Sequence, residues 1–184
     1  MTSNSGYYYG EDSLVFYGVQ KTNEKIDIKR NKRIKLSCST EADSICQLND
    51  RYICIGLQDY HRDNQENGFA IIDIYEKEIF QIIEDLPVSS LYYNFEKKLL
   101  ISAMDLTDID HTGIIKIFEF LNDDVELKLL YELKSEHKDI IVSLAELMNI
   151  NKDNNYSMRI NDNNQLIIVS ASLDCTLRII QVNK

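Results

Sequence analysis

A chain of 184 residues with 44% apolar side chains can bury the core of one domain, and a formal charge of −10 supplies no broad positive field for nucleic acid or an anionic membrane. Four cysteines, Cys38, Cys46, Cys54 and Cys175, stand apart with no CxxC, so no zinc ribbon or dithiol motif is spelled out and buried free thiols in a reducing compartment are expected. No apolar run approaches the ~20 residues that cross a bilayer, and the opening MTSNSG has no apolar signal stretch, which makes the cytoplasm or nucleus the expected location.

Along the chain, short β-branched or aromatic runs alternate with polar breaks rich in Asn, Asp and Gly, the pattern of strands joined by turns. Strands are predicted over residues 14–19, 34–38, 45–48, 52–57, 69–75 and 79–83, then 89–93, 99–103, 114–120 and 127–133, and finally 140–147, 166–171 and 177–182. With a single proline, Pro87, turn chemistry falls mainly to Asn and Asp. Several runs alternate cleanly: Ile115, Ile117 and Glu119 are predicted on one face of their strand, with Ile114, Lys116 and Phe118 on the other. The breaks at residues 58–67, 105–112 and 149–164 read as solvated loops.

The runs repeat. A run such as VSSLYY or IVSL is followed by one such as YICIG, LLISA or LIIVS, then by AIIDIY, IIKIFEF or TLRIIQV, and twice by a fourth, IFQII or LKLLYEL. The third runs of two units end near Tyr75 and Phe118, 43 residues apart, within the roughly 40–45 residues of a four-stranded propeller blade. The expected architecture is therefore all-β, with roughly three four-stranded antiparallel blades in an incomplete ring. Its units would cover approximately residues 1–40 (partial), 41–86, 87–135 and 136–184.

The last unit resembles a WD repeat. His137 precedes IVSL, the segment Ser170-Ala171-Ser172-Leu173-Asp174 closes the next run, and Thr176-Leu177-Arg178-Ile179-Ile180 follows. The resemblance implies a buried structural network in which Asp174 accepts from His137, itself oriented by Ser170 or Ser172. Ile180 stands where the family carries tryptophan, and Tyr75 and Phe118 keep only an aromatic there. The family's propellers commonly hold about four to eight blades, so roughly three imply that another chain or fragment supplies the rest, or that two copies pair. The family's last blade takes its outer strand from the N-terminal region, so the end at Val182-Asn183-Lys184 reads as a propeller terminus with the missing blades upstream.

The remaining constellations carry less. Asp105, Asp108, Asp110 and His111 lack the glycine and closing glutamate of a calcium loop, and His61-Arg62-Asp63 stands without the glycine-rich loop or Asp-Phe-Gly of a kinase. There is no G-x-S-x-G and no phosphate-cradling loop. No catalysis, metal or cofactor is expected, though a propeller-fold enzyme completed by other blades is an alternative. Residues 25–35, KIDIKRNKRIK, read as an outer hairpin whose lysines block edge pairing. Alternatively Lys29, Arg30, Lys32 and Arg33 hold an anionic ligand, such as a phosphorylated or acidic peptide or RNA. Tyr7, Tyr8 and Tyr9 read equally as a contact patch or a loose end. The preferred function is a non-catalytic scaffold that holds protein partners in a multiprotein complex.

Overall fold

The computed structural model describes residues 13–21, 26–35, 40–59, 67–104, 113–121, 125–147 and 165–183. Among them are thirteen strands and no helix. They are β1 (Ser13–Lys21), β2 (Ile26–Lys35), β3 (Thr40–Gln47), β4 (Tyr52–Asp59), β5 (Gly68–Asp73), β6 (Glu78–Glu84) and β7 (Val88–Asn94). Next come β8 (Leu99–Met104), β9 (Ile114–Phe120), β10 (Leu127–Lys134), β11 (Ile141–Glu146), β12 (Gln165–Ser172) and β13 (Leu177–Asn183).

The strands form antiparallel meanders in chain order: a pair β1-β2, two four-stranded sheets β3-β4-β5-β6 and β7-β8-β9-β10, and a three-stranded sheet β11-β12-β13. The fold is thus all-β, built of blade-like sheets with no closed barrel among the described residues. A bulge recurs at one place in each of the three larger sheets. It lies between Ala42 and Ser44, between Val88 and Ser90, and between Ile141 and Ser143, each in the first strand of its sheet. A bulge bends its strand, and these first strands are the ones that meet: β3 and β4 lie against β7, and β7 and β8 against β11. Gly56 lets the backbones close in, because a Cβ there would stand 2.8 Å from Val88 Cγ1 and 2.9 Å from the Val88 carbonyl.

Period-two alternation splits each inner strand between two cores. On β8, Leu100 and Met104 face the first four-stranded sheet, while Leu99, Ile101 and Ala103 face the three-stranded one. On β9, Ile114, Phe118 and Phe120 join the first core and Ile115 and Ile117 the second, as the alternation predicts. A third core, Ile34, Ile55, Leu57, Ala70 and Ile72, seats the β1-β2 pair on the first four-stranded sheet. The second four-stranded sheet is consequently covered on both faces, which is why every residue of β8 is buried.

Four expectations change. Residues 26–35 form one continuous strand and not a hairpin, because β1 supplies a full partner, from Leu14 opposite Ile34 to Lys21 opposite Ile26. The run predicted over 34–38 accordingly contributes only the end of β2 to the described residues. The run predicted to reach Tyr75 stops at Asp73, whose Oδ1 accepts from the amides of Tyr75 (2.9 Å) and Glu76 (3.0 Å) and so turns the chain. Of the cysteines, Cys54 is buried and Cys46 half-buried, but Cys175 is exposed in the β12-β13 turn; Cys38 lies outside the described residues. Among those residues no helix is long and apolar enough to cross a membrane.

Candidate functional site

The structure brings His137, Ser170, Ser172 and Asp174 together at the β12-β13 turn. His137, fully buried, follows β10 and arrives beside the turn because Glu136 takes a left-handed backbone (φ 57°). Its Nε2 lies 2.8 Å from the Ser170 hydroxyl. Its Nδ1 lies 3.3 Å from Asp174 Oδ2 and 3.0 Å from the Thr176 hydroxyl. With the proton on Nδ1, the ring donates toward the carboxylate and accepts from Ser170.

Asp174 also accepts from the amide of Lys138 (2.8 Å), the amide of Thr176 (2.9 Å) and the hydroxyl of Thr176 (2.6 Å). Ser172 donates its hydroxyl to the Asp139 carbonyl (3.0 Å) and accepts from the Asp174 amide (3.2 Å). The segment entering β11 is therefore tied to the turn leaving β12, which closes the third sheet. Thr176 completes this set and was not singled out in the sequence; its signal was an Asp-x-Thr spacing at a turn. Just before it, Ser135 donates to the Gly113 carbonyl (2.7 Å) and accepts from the His137 amide (3.3 Å), an extension with no motif.

The Thr176 hydroxyl, then the Lys138 amide, hold the Asp174 carboxyl well below the usual carboxylate range against the opposing pull of partial burial. A carboxyl whose folded value is depressed stabilises the fold above its unfolded pKa, near 4. That contribution is lost as pH falls through the folded value. Thermal melts of wild type and Asp174→Asn are therefore expected to differ at neutral pH and to converge in acid; a gap that stays constant below pH 4 would remove this linkage.

A second feature is an open sheet face. In the third sheet, register aligns Ala145, Val169 and Ile179 in one row and Ser143, Ala171 and Leu177 in the next. These rows look away from the core formed by Leu144, Leu166, Ile168 and Val182. Leu177 and Ile179 are 72% and 69% exposed. Among the described residues, β13 also has no fourth strand beside it of the kind that β6 and β10 provide in the two four-stranded sheets.

Lys29, Arg30, Lys32 and Arg33 of β2 are exposed, but register divides them. Arg30 and Arg33 stand opposite Tyr17 and Val15, while Lys29 and Lys32 stand opposite Gly18 and Phe16 on the other face. Lys32 donates to the Glu76 carbonyl at 3.0 Å. Between the second and third sheets, Lys97 Nζ pairs with Glu146 at 2.7 Å, Asn94 also bonds Glu146, and the bulged Ser89 donates to the Ile141 carbonyl at 2.7 Å. Across the preceding interface, Lys116 Nζ lies 2.6 Å from Asp85. The polar contacts thus lock sheet to sheet. The candidate residues Tyr7, Tyr8, Tyr9, His61, Arg62, Asp63, Asp105, Asp108, Asp110 and His111 lie outside the described residues.

A crystal structure of a eukaryotic initiation factor is similar over 95% of this chain and 44% of that chain, at 12% identity and a TM-score of 0.46. This chain spans less than half the length of that one. No protein-family model matches the chain, and no curated protein matches it.

Proposed function

We propose that the chain is a WD-repeat-like scaffold that performs no chemistry of its own and holds protein partners, one of which covers the open face of its third sheet. The observation that carries this reading is the pair Leu177 and Ile179, 72% and 69% exposed on a sheet whose other face is buried. Every interface between successive sheets here is an apolar face covered by the next, and burying each such side chain contributes about 1.5–3 kcal/mol. A sheet from another polypeptide continues the same packing and completes the ring. The bonds of His137 and Asp174 support the WD-repeat assignment, since they join the turn to the strand entry at the positions of that family's motif.

A double variant, Leu177→Asp with Ile179→Asp, tests it. Both side chains point to solvent in the isolated chain, so its melting should change little. Native mass spectrometry is expected to show wild type in a complex with another polypeptide and the variant alone. Wild type running as a single chain at physiological concentration would sink the reading. The alternative of an anion site on β2 is less supported, because its four cations are split between two faces.

A further inference from the structure

Two thiols meet in the core between the first and second four-stranded sheets. Cys46 of β3 stands directly opposite Cys54 of β4, in a stretch of unbroken register that begins after the bulge between Ala42 and Ser44. Cys54 is wholly buried in the core that holds Leu48, Tyr52, Val88, Leu91 and Tyr93, and the half-buried Cys46 packs against that core. Both side chains are therefore on the sheet face that meets β7, and they are hydrogen-bonded to each other.

Their spacing suits a covalent bond. Two residues further along both strands the Leu48 amide donates to the Tyr52 carbonyl at 2.9 Å, so Cys46 and Cys54 also stand at a hydrogen-bonded position of the ladder. Opposed Cα atoms at such a position lie about 5.5 Å apart, within the roughly 4.4–6.8 Å that a disulfide spans. Among the described cysteines no other pair is placed this way, since Cys175 is exposed in the β12-β13 turn of the third sheet.

The two thiols differ in reach. Burial, and after it the bond to Cys46, push the Cys54 thiol up, so it keeps its proton beside the neighbouring sulfur. Cys46 is partly open to solvent and is the sulfur that an oxidant meets first. The strand that carries it gives a bond there a consequence. Among the described strands β3 is hydrogen-bonded to β4 alone, a bulge interrupts that pairing, and β3 lies against β7 of the next sheet. A cross-link to β4 fixes this edge strand and with it the contact between the two sheets.

We propose that Cys46 and Cys54 form an oxidation site, a thiol pair that a hydroperoxide converts reversibly into a cross-strand disulfide tying β3 to β4. The Cys46 thiolate attacks one oxygen of the hydroperoxide and the O–O bond breaks. The departing alkoxide or hydroxide takes up the proton that Cys46 gave, and Cys46 becomes a sulfenic acid. The Cys54 sulfur then attacks the Cys46 sulfur, the S–O bond breaks, and the hydroxyl leaves as water with the Cys54 proton. Two thiols thus lose two electrons and two protons to one hydroperoxide, and thiol reductants reverse the change by exchange. The site is separate from the Leu177 and Ile179 face and does not rest on the scaffold reading.

Hydrogen peroxide applied to the folded full chain, followed by alkylation and peptide mass mapping, tests it. Wild type is expected to yield two peptides joined through Cys46 and Cys54, about two mass units lighter than the free thiols, and dithiothreitol should separate them. In the oxidised chain the β3 amides are expected to exchange hydrogen about tenfold more slowly than in the reduced one. Cys54→Ser should let Cys46 run on to sulfinic acid, and Cys46→Ser should leave Cys54 a thiol. The wild-type map needs no variant, so it decides even where a core serine weakens folding. Cys46 oxidised to sulfinic acid beside a free Cys54 would overturn the proposal, as would a disulfide from either thiol to Cys38 or Cys175. So would a Cys46 that stays reduced while the exposed Cys175 oxidises, or β3 exchange left unchanged by the disulfide.

Discussion

Phe69→Ala is expected to lower the free energy of unfolding by about 4 kcal/mol, the cost of emptying a closed aromatic site that cannot collapse. Phe69 is wholly buried on β5 and meets Phe118 of the next sheet edge-on, with ring centroids 5.4 Å apart. The residue thus joins two sheets, and the loss should weaken their cohesion as well as the first sheet itself. Urea denaturation measures it: with a slope of about 1–3 kcal/mol/M, the midpoint should fall by more than 1 M, or the curve should separate into two transitions as the sheets part. Ile45→Ala serves as the control. Ile45 is 60% exposed on β3 and its truncation is expected to shift stability by no more than about 0.5 kcal/mol. Equal losses from the two would show that the packing between sheets is not what holds them together.

The all-β fold was legible because the hydrophobic pattern changes face at every residue. GIIKIFEF announces two apolar faces, and a strand buried on both sides needs a sheet on each. The repeat was legible in the same way: the serine of VSSL and of IVSL marks the place where each first strand bulges. What the sequence could not convey is what depends on partners far along the chain. Residues 26–35 alternate isoleucines with many charges, and they read as an outer hairpin until β1 is seen to pair with their whole length. Cys175 was expected inside with the other thiols, but it occupies the left-handed position of a turn (φ 65°), and that position faces solvent. That the last unit carries no fourth run was legible in the sequence, but not the open face of the third sheet. Leu177 and Ile179 alternate with Arg178 and Ile180 as any half-buried strand would, and only packing reveals which of the two faces lacks a cover. The turns at residues 74–77 and 95–98 were not recognised as alike because DIYEK and NFEKK share only the final lysine at a like position. Their likeness is in the Asx cap and the left-handed lysine.

The largest effect at the polar network should come from His137→Ala, which leaves the wholly buried Ser170 hydroxyl without its ring partner and removes a contact from Asp174. An orphaned buried hydroxyl and a weakened carboxylate cost about 1–3 kcal/mol each, so a loss of about 3 kcal/mol is expected. Asp174→Ala removes the acceptor for the Lys138 and Thr176 amides and should cost about 2 kcal/mol. Because the two side chains act through shared partners, the double variant should lose about 1–2 kcal/mol less than the sum. Equilibrium denaturation of the four proteins gives the coupling, and agreement with simple additivity to within about 0.5 kcal/mol would mean that the network does not act as a unit. Hydrogen exchange locates the effect: amides of β11, β12 and β13 should open early in both variants while those of β8, covered on both faces, stay protected. The open apolar face proposed to take a partner is carried by this same sheet. On that proposal, loss of His137 should weaken partner binding there as well, without any change at the contact itself.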